Sequence, residues 1–306
     1  MKRLLGPVMM MSLCAVSAVA QGPDVMKSAL EGEVVDRAMA GYTAAENDCA
    51  ASMEVLNALK PLIAARPTSP EYRWMLVWVS VNLTGVCTFS GASALLKEAV
   101  AQLTELRNGA KKPGAAPSAG VSAAVWAQAA DALVRSAMGD HGEALRMSHE
   151  ALRAARTSPL MMITRGSVLW NHGRLEQTKA GEVTAAVRGE LQEATGLLSE
   201  ALRGDLPKST TNMVNLAQGR IQFLLGDMLL AAQYLRAYTG AEAKNARALW
   251  ELSDALYRAD DCEGARDAAA QSHLLRRTRH ALKSMEHATA CAESKAAMAE
   301  SAVDRR

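Results

Sequence analysis

Apolar positions along this chain are filled largely by alanine, leucine and methionine, and they do not alternate with polar ones as strands would require. Ala, Leu, Glu, Arg and Met are strong helix formers, and aromatic residues make up only 4% of the 306 residues. An all-α fold is therefore expected. In the first third of the chain the pattern predicts helices over residues 24–46, 49–65, 71–84 and 90–106. Asn47-Asp48 offers a cap between the first two, and Pro67-Thr68-Ser69-Pro70 cannot continue a helix. Gly85 and Gly91 bracket a further turn.

Residues 108–120 read NGAKKPGAAPSAG, with little to bury, and are expected to form a flexible linker or loop. Beyond it, over residues 121–293, helical stretches are punctuated at Gly139-Asp140, His172-Gly173, Gly226-Asp227 and Asp260-Asp261. Thirty-four residues separate Gly139 from Gly173, and thirty-four separate Gly226 from Asp260. Helix-turn-helix units of that length are too small to bury their own apolar faces, so they stack into an extended body. The gap from Gly173 to Gly226 is 19 residues longer than one period, and this extra length is assigned to an insertion near residues 181–207. Residues 294–306 are small and polar and are expected to fray.

Within residues 121–293 the pattern resembles the tetratricopeptide repeat family. That family places a small residue on the first helix, a glycine in the turn and an alanine five residues later. Gly139 with Ala144, Gly226 with Ala231, and Asp260 with Ala265 stand in this relation. Ala151-Leu152 falls where the second helix packs a small residue, and Gly166 and Gly219 each lie seven residues before an expected turn glycine. Thr178 replaces the alanine expected after Gly173, and Gln128 occupies a position that is bulky in the family. The resemblance implies a right-handed α/α superhelical solenoid of helix-turn-helix repeats whose concave face binds a peptide or protein. Residues 21–107 would then be a divergent helical part of the same array. Asp48-Cys49-Ala50 echoes Asp261-Cys262-Glu263 at the start of an expected second helix.

The first twenty residues have the layout of a secretory signal peptide. Lys2 and Arg3 precede an uncharged apolar run, and Ala18-Val19-Ala20 predicts cleavage after Ala20. Export to the periplasm or outside the cell follows as an expectation. Removing Lys2 and Arg3 from 34 basic residues leaves 32 against 32 acidic ones, a net charge of zero. No global field then favours nucleic acid or an anionic membrane, and no further segment reads as a membrane span. Four cysteines remain after cleavage, and an even count in an oxidising compartment suggests two disulfides. Pairing of sequence neighbours gives Cys49–Cys87 and Cys262–Cys291.

Candidate chemistry is sparse. The sequence contains no GxSxG, HExxH, phosphate-loop or dinucleotide-binding motif. No catalytic, cofactor or metal residues are assigned, and the chain is read as a non-enzyme. His273, His280 and His287 recur every seven residues on one predicted helix, a spacing of about 10 Å that a single metal ion cannot bridge. Arg276, Arg277 and Arg279 lie beside them and, with His273 and His280, are the candidate partner-binding residues. Trp74 with Trp78, and Met161-Met162 with Trp170, are read as core. The leading functional expectation is an exported interaction scaffold, with envelope assembly or secretion as its setting. The alternative is an enzyme or enzyme accessory whose pocket is closed by residues 181–207.

Overall fold

The computed structural model describes residues 69–84, 89–112, 117–204, 208–241 and 245–303, with the single positions 57, 60, 61, 114 and 206. Proline, glycine and capping side chains set the helix boundaries. α1 (Pro70–Leu83) starts on a proline, whose missing N–H costs nothing in the first turn. It pairs with α2 (Phe89–Ala110). The Ser122 hydroxyl caps α3 (Ala123–Met138), and Gly139 ends it in the left-handed region at φ 87°. α4 (His141–Ala154) completes the second hairpin.

A third hairpin is made by α5 (Pro159–Ala180) and α6 (Ala185–Ala201), which Thr184 caps. Next come α7 (Lys208–Leu225) and α8 (Met228–Ala241), joined by Gly226 at φ 88° and capped by Asp227. α9 (Ala246–Arg258), capped by Asn245, pairs with α10 (Cys262–Leu275), capped by Asp261. α11 (Arg279–Val303) lies against both. Among the described residues there are no strands beyond an isolated bridge between Ser118 and Val121.

Each hairpin packs on the next, so the chain is an all-α solenoid. The first helices α1, α3, α5 and α7 touch in succession and form one layer. The expected helices over 71–84 and 90–106 correspond to α1 and α2, with α2 running four residues further. Those over 24–46 and 49–65 lie outside the described residues, apart from isolated positions, as does the leader. No described helix is long and apolar enough to cross a membrane.

Three of the four expected turns are turns. Gly139, Gly226 and Asp260 all have positive φ, and Ala144, Ala231 and Ala265 five residues later are fully buried. The fourth is not. Gly173 sits inside the 22-residue α5, and the chain turns at Gly181, φ 77°. A Cβ on Gly173 would lie 2.9 Å from Leu191, so this glycine lets α6 approach α5. Gly166 serves the same contact one heptad earlier, against Leu198.

The expected insertion near 181–207 is accordingly α6 itself, the second helix of the third hairpin. The additional length is distributed over α5 and α6 and does not form a separate excursion. Thr178 also ceases to be an anomaly, because no turn precedes it.

The core changes character along the array. At its start Trp74, Trp78 and Trp126 cluster, with Trp74 and Trp126 ring centroids 5.7 Å apart. Trp74 and Trp78 are core, as the sequence predicts. Further along, small residues dominate: Ala248, Ala255, Ala265 and Ala269 are fully buried. Buried hydroxyls tie backbones there, Ser253 to the Ala265 carbonyl at 2.8 Å and Ser272 to the Ala246 carbonyl at 2.7 Å.

Cys262 at the start of α10 is joined to Cys291 in α11 by a disulfide. The other expected pair, Cys49–Cys87, lies outside the described residues. Across the segment 108–120, α2 and α3 pack directly, and the Asp131 carboxylate accepts from both Arg107 and Arg135. α11 continues through Val303, into the segment expected to fray.

Candidate binding groove

The layer of first helices leaves an open depression of about 440 Å³ on its exposed side. α1 brings Asn82 to it, α3 brings Ser136, and α5 brings Trp170 and Arg174. Arg220 of α7 and Arg247 of α9 close the far wall. Arg247 also belongs to a neighbouring depression of about 310 Å³, where it meets Trp250, Arg276 and His280. The two depressions therefore meet at one guanidinium and run along successive inner helices.

The electrostatics of this surface are one-sided. Among the described residues no aspartate or glutamate lines either depression. Glu251 stands behind the wall, accepting from Arg220 at 2.8 Å and from Arg247 at 3.1 Å. One carboxylate thus serves two guanidinium groups and holds both in place. Arg174 and Arg276 are exposed, and among the described residues neither has a carboxylate within ion-pair distance. Arg174 and Arg276 are thus the two guanidinium groups on the groove that no carboxylate among the described residues offsets.

Aromatic rings alternate with these charges. Trp170 is half-buried and lines the groove, so it departs from the purely core role the sequence suggests, whereas Met161 is fully buried as expected. Trp250 donates to Ser284 Oγ at 3.0 Å and lies 6.1 Å from the His280 ring. Its indole is pinned through its polar edge while its carbon surface remains available.

A second cluster sits beside the groove where α4, α5 and α6 meet. The His141 and His172 rings are 5.5 Å apart, and His172 Nδ1 is 2.6 Å from Glu190 Oε2. Burial pushes the His141 imidazole below its ordinary value, and the neighbouring His172 and Lys179 push in the same direction. Ser136 Oγ and His141 Nδ1 are buried atoms with no hydrogen-bond partner among the described residues, and both residues line the groove.

The residues singled out from sequence are divided by the structure. Arg276 and His280 line the second depression; Arg277 and Arg279 are exposed outside it. They do not share one helix with His273, because α10 ends at Leu275 and α11 begins at Arg279. His273 is half-buried on α10, and His280 and His287 are on α11. The seven-residue recurrence is therefore interrupted by an extended connection. Arg174, Arg220 and Arg247 were not distinguishable beforehand. Arg220 adjoins Gly219 on an expected first helix, but which side of that helix faces the groove depends on how the hairpins rotate.

A metal reading gains little near the disulfide. Asp260 lies close to Cys262 and Cys291, but their sulfurs are bonded to each other and offer no thiolate.

The succession of hairpins defines a helical-repeat solenoid with a basic inner groove. Gly139, Gly226 and Asp260 turn the chain, and each is followed five residues later by a buried alanine. Among solved structures, a monomeric mutant of IFIT1 with Gppp-AAAA is similar over 78% of this chain and 67% of that one. Its identity is 14% and its TM-score 0.36. A human IFIT1 dimer with m7Gppp-AAAA is similar over 79% of this chain and 68% of that one, at 16% identity and a TM-score of 0.31. No family model and no curated protein matches the chain.

Proposed function

We propose that this protein is an exported binding module whose inner groove takes a segment of a partner protein. The observation that carries the reading is the 440 Å³ depression shared by five inner helices, with Arg174 on its wall unpaired among the described residues. A surface built from successive repeats accumulates affinity from many modest contacts, which suits an extended ligand. Export rests on the leader-like start of the chain and accords with the disulfide between Cys262 and Cys291, since such bonds persist in oxidising compartments. Periplasmic or secreted assembly of envelope components is the setting this reading assigns. It gives the chain no catalytic step. Residues 185–201 form α6, which adds no side chain to the wall of the larger depression, so a pocket closed by that segment is not favoured.

Photocrosslinking tests the reading directly. A photoreactive amino acid at Leu175, inside the groove, is expected to capture a discrete partner in cells. The same probe at Gln233, exposed on α8, is expected not to. Equal labelling from both positions would sink it.

A further inference from the structure

The charge and hydrogen-bonding pattern of the groove says what kind of segment it fits. Arg174 and Arg276, one in each depression, have no carboxylate partner among the described residues, and no aspartate or glutamate among those residues lines either depression. An occupant that supplies two carboxylates would complete this wall without leaving an unpaired charge of its own. Trp170 and Trp250 lie along the same path and offer carbon surface for apolar side chains between the acidic ones.

A phosphodiester backbone is usually neutralised by a longer run of lysine and arginine than this groove offers, where Arg174 and Arg276 are the guanidinium groups without a carboxylate among the described residues.

Resting on the binding-module reading, we infer that the groove receives an extended acidic peptide segment. Its carboxylates sit on Arg174 and Arg276, and its apolar side chains lie against Trp170 and Trp250. The acidic side chains are internal to the segment, so a free C-terminus is not required.

The test uses the full oxidised protein and a phage-displayed library of random dodecapeptides. Enriched sequences are expected to be acidic and to carry at least one large apolar residue. A synthetic, C-terminally amidated version of the most enriched peptide, followed by fluorescence anisotropy, should bind. Replacing its Asp and Glu by Asn and Gln should weaken it roughly tenfold or more. The double variant Arg174→Glu/Arg276→Glu should lose affinity to a similar degree. Arg277→Glu, which makes the same charge change outside the groove, should not.

Both altered arginines are exposed, so folding is expected to persist. If the double variant loses its helical circular dichroism, Arg174→Gln/Arg276→Gln carries the comparison. Enriched peptides that are neutral or basic would overturn the acidic ligand while leaving a binding module intact. So would tighter binding of a dodecameric oligouridylate, or dependence on a free C-terminus. Failure to enrich any peptide, together with equal crosslinking from both faces, would overturn both.

Discussion

The two ends of this array hold similar helical hairpins together in different ways. Around α1 and α3 the interface is filled by bulk: Trp74 and Trp126 are essentially unexposed and in contact. Around α9, α10 and α11 it is filled by closeness. Alanines let the helices approach, Ser253 and Ser272 hydrogen-bond across the gap, and Cys262–Cys291 ties the second helix to the last. Large side chains stabilise by the apolar area they remove from water. Small ones bury less area each and depend more on uninterrupted backbone approach. The difference teaches that the repeat pattern specifies a spacing of hairpins and leaves open what fills it.

The largest expected effect breaks the bulky end. Trp126→Ala removes a fully buried indole and its contact with Trp74 and should cost about 3–5 kcal/mol. Hydrogen exchange should show lost protection in α1 and α3 ahead of α9 and α10. Equal loss along the whole array would mean that the two ends do not differ in the way described.

Removing the staple at the other end comes next. Cys262→Ala with Cys291→Ala should destabilise by about 2–4 kcal/mol, chiefly in α10 and α11. Proteolysis of native protein should then begin near the 276–278 connection. An unchanged melting curve would show that alanine packing alone suffices there.

A smaller effect probes close approach in the middle of the array. A Cβ at Gly219 would lie 2.6 Å from Leu235 Cγ and 3.3 Å from its backbone nitrogen, so Gly219→Ala should cost about 1–3 kcal/mol. Gly173→Ala meets mainly the flexible end of Leu191 and should cost less. Chemical denaturation of both variants gives the order, and a reversed order would contradict the contact geometry.

The smallest effect concerns pH. His141 is held below its ordinary value by burial, so the folded protein binds this proton less readily than the unfolded chain. Its contribution to stability is complete above about pH 6.5 and is lost as the pH falls below that value. Tm should therefore drop slightly more between about pH 7 and pH 5 in the native protein than in His141→Gln. A steeper drop in the variant would reverse the sign of the proposed linkage.

Much of the solenoid was legible in the residues themselves. Gly139, Gly226 and Asp260 mark turns because each is followed closely by a helix start, and the buried alanine five residues on confirms the register. Cys262 was legible for the same reason: Asp261 caps the helix that it begins. Gly173 was misleading, and the cause is physical. Glycine suits a left-handed turn and also suits a helix that must touch its neighbour, so residue type alone does not separate the two uses. Gly181, the true turn, carried no more signal than Gly173 did.

The groove was legible only in part. Arg276 stands out in a local run of arginines and His280 in the seven-residue recurrence of histidines, and both line the second depression. Arg277 and Arg279 belong to the same run but fall outside it, because the helix breaks between Leu275 and Arg279. Arg174, Arg220 and Arg247 come from three hairpins and share no local pattern.

The sequence by itself determined the helical class and three of the turns, since these depend on helix propensity and capping, and it favoured Cys291 as the partner of Cys262 among the possible pairings. Only the tertiary structure decided whether a glycine bends the chain or admits a neighbour, and which arginines face one groove. Both depend on the rotation of each hairpin against the next, and that rotation is set by contacts between residues far apart in the sequence.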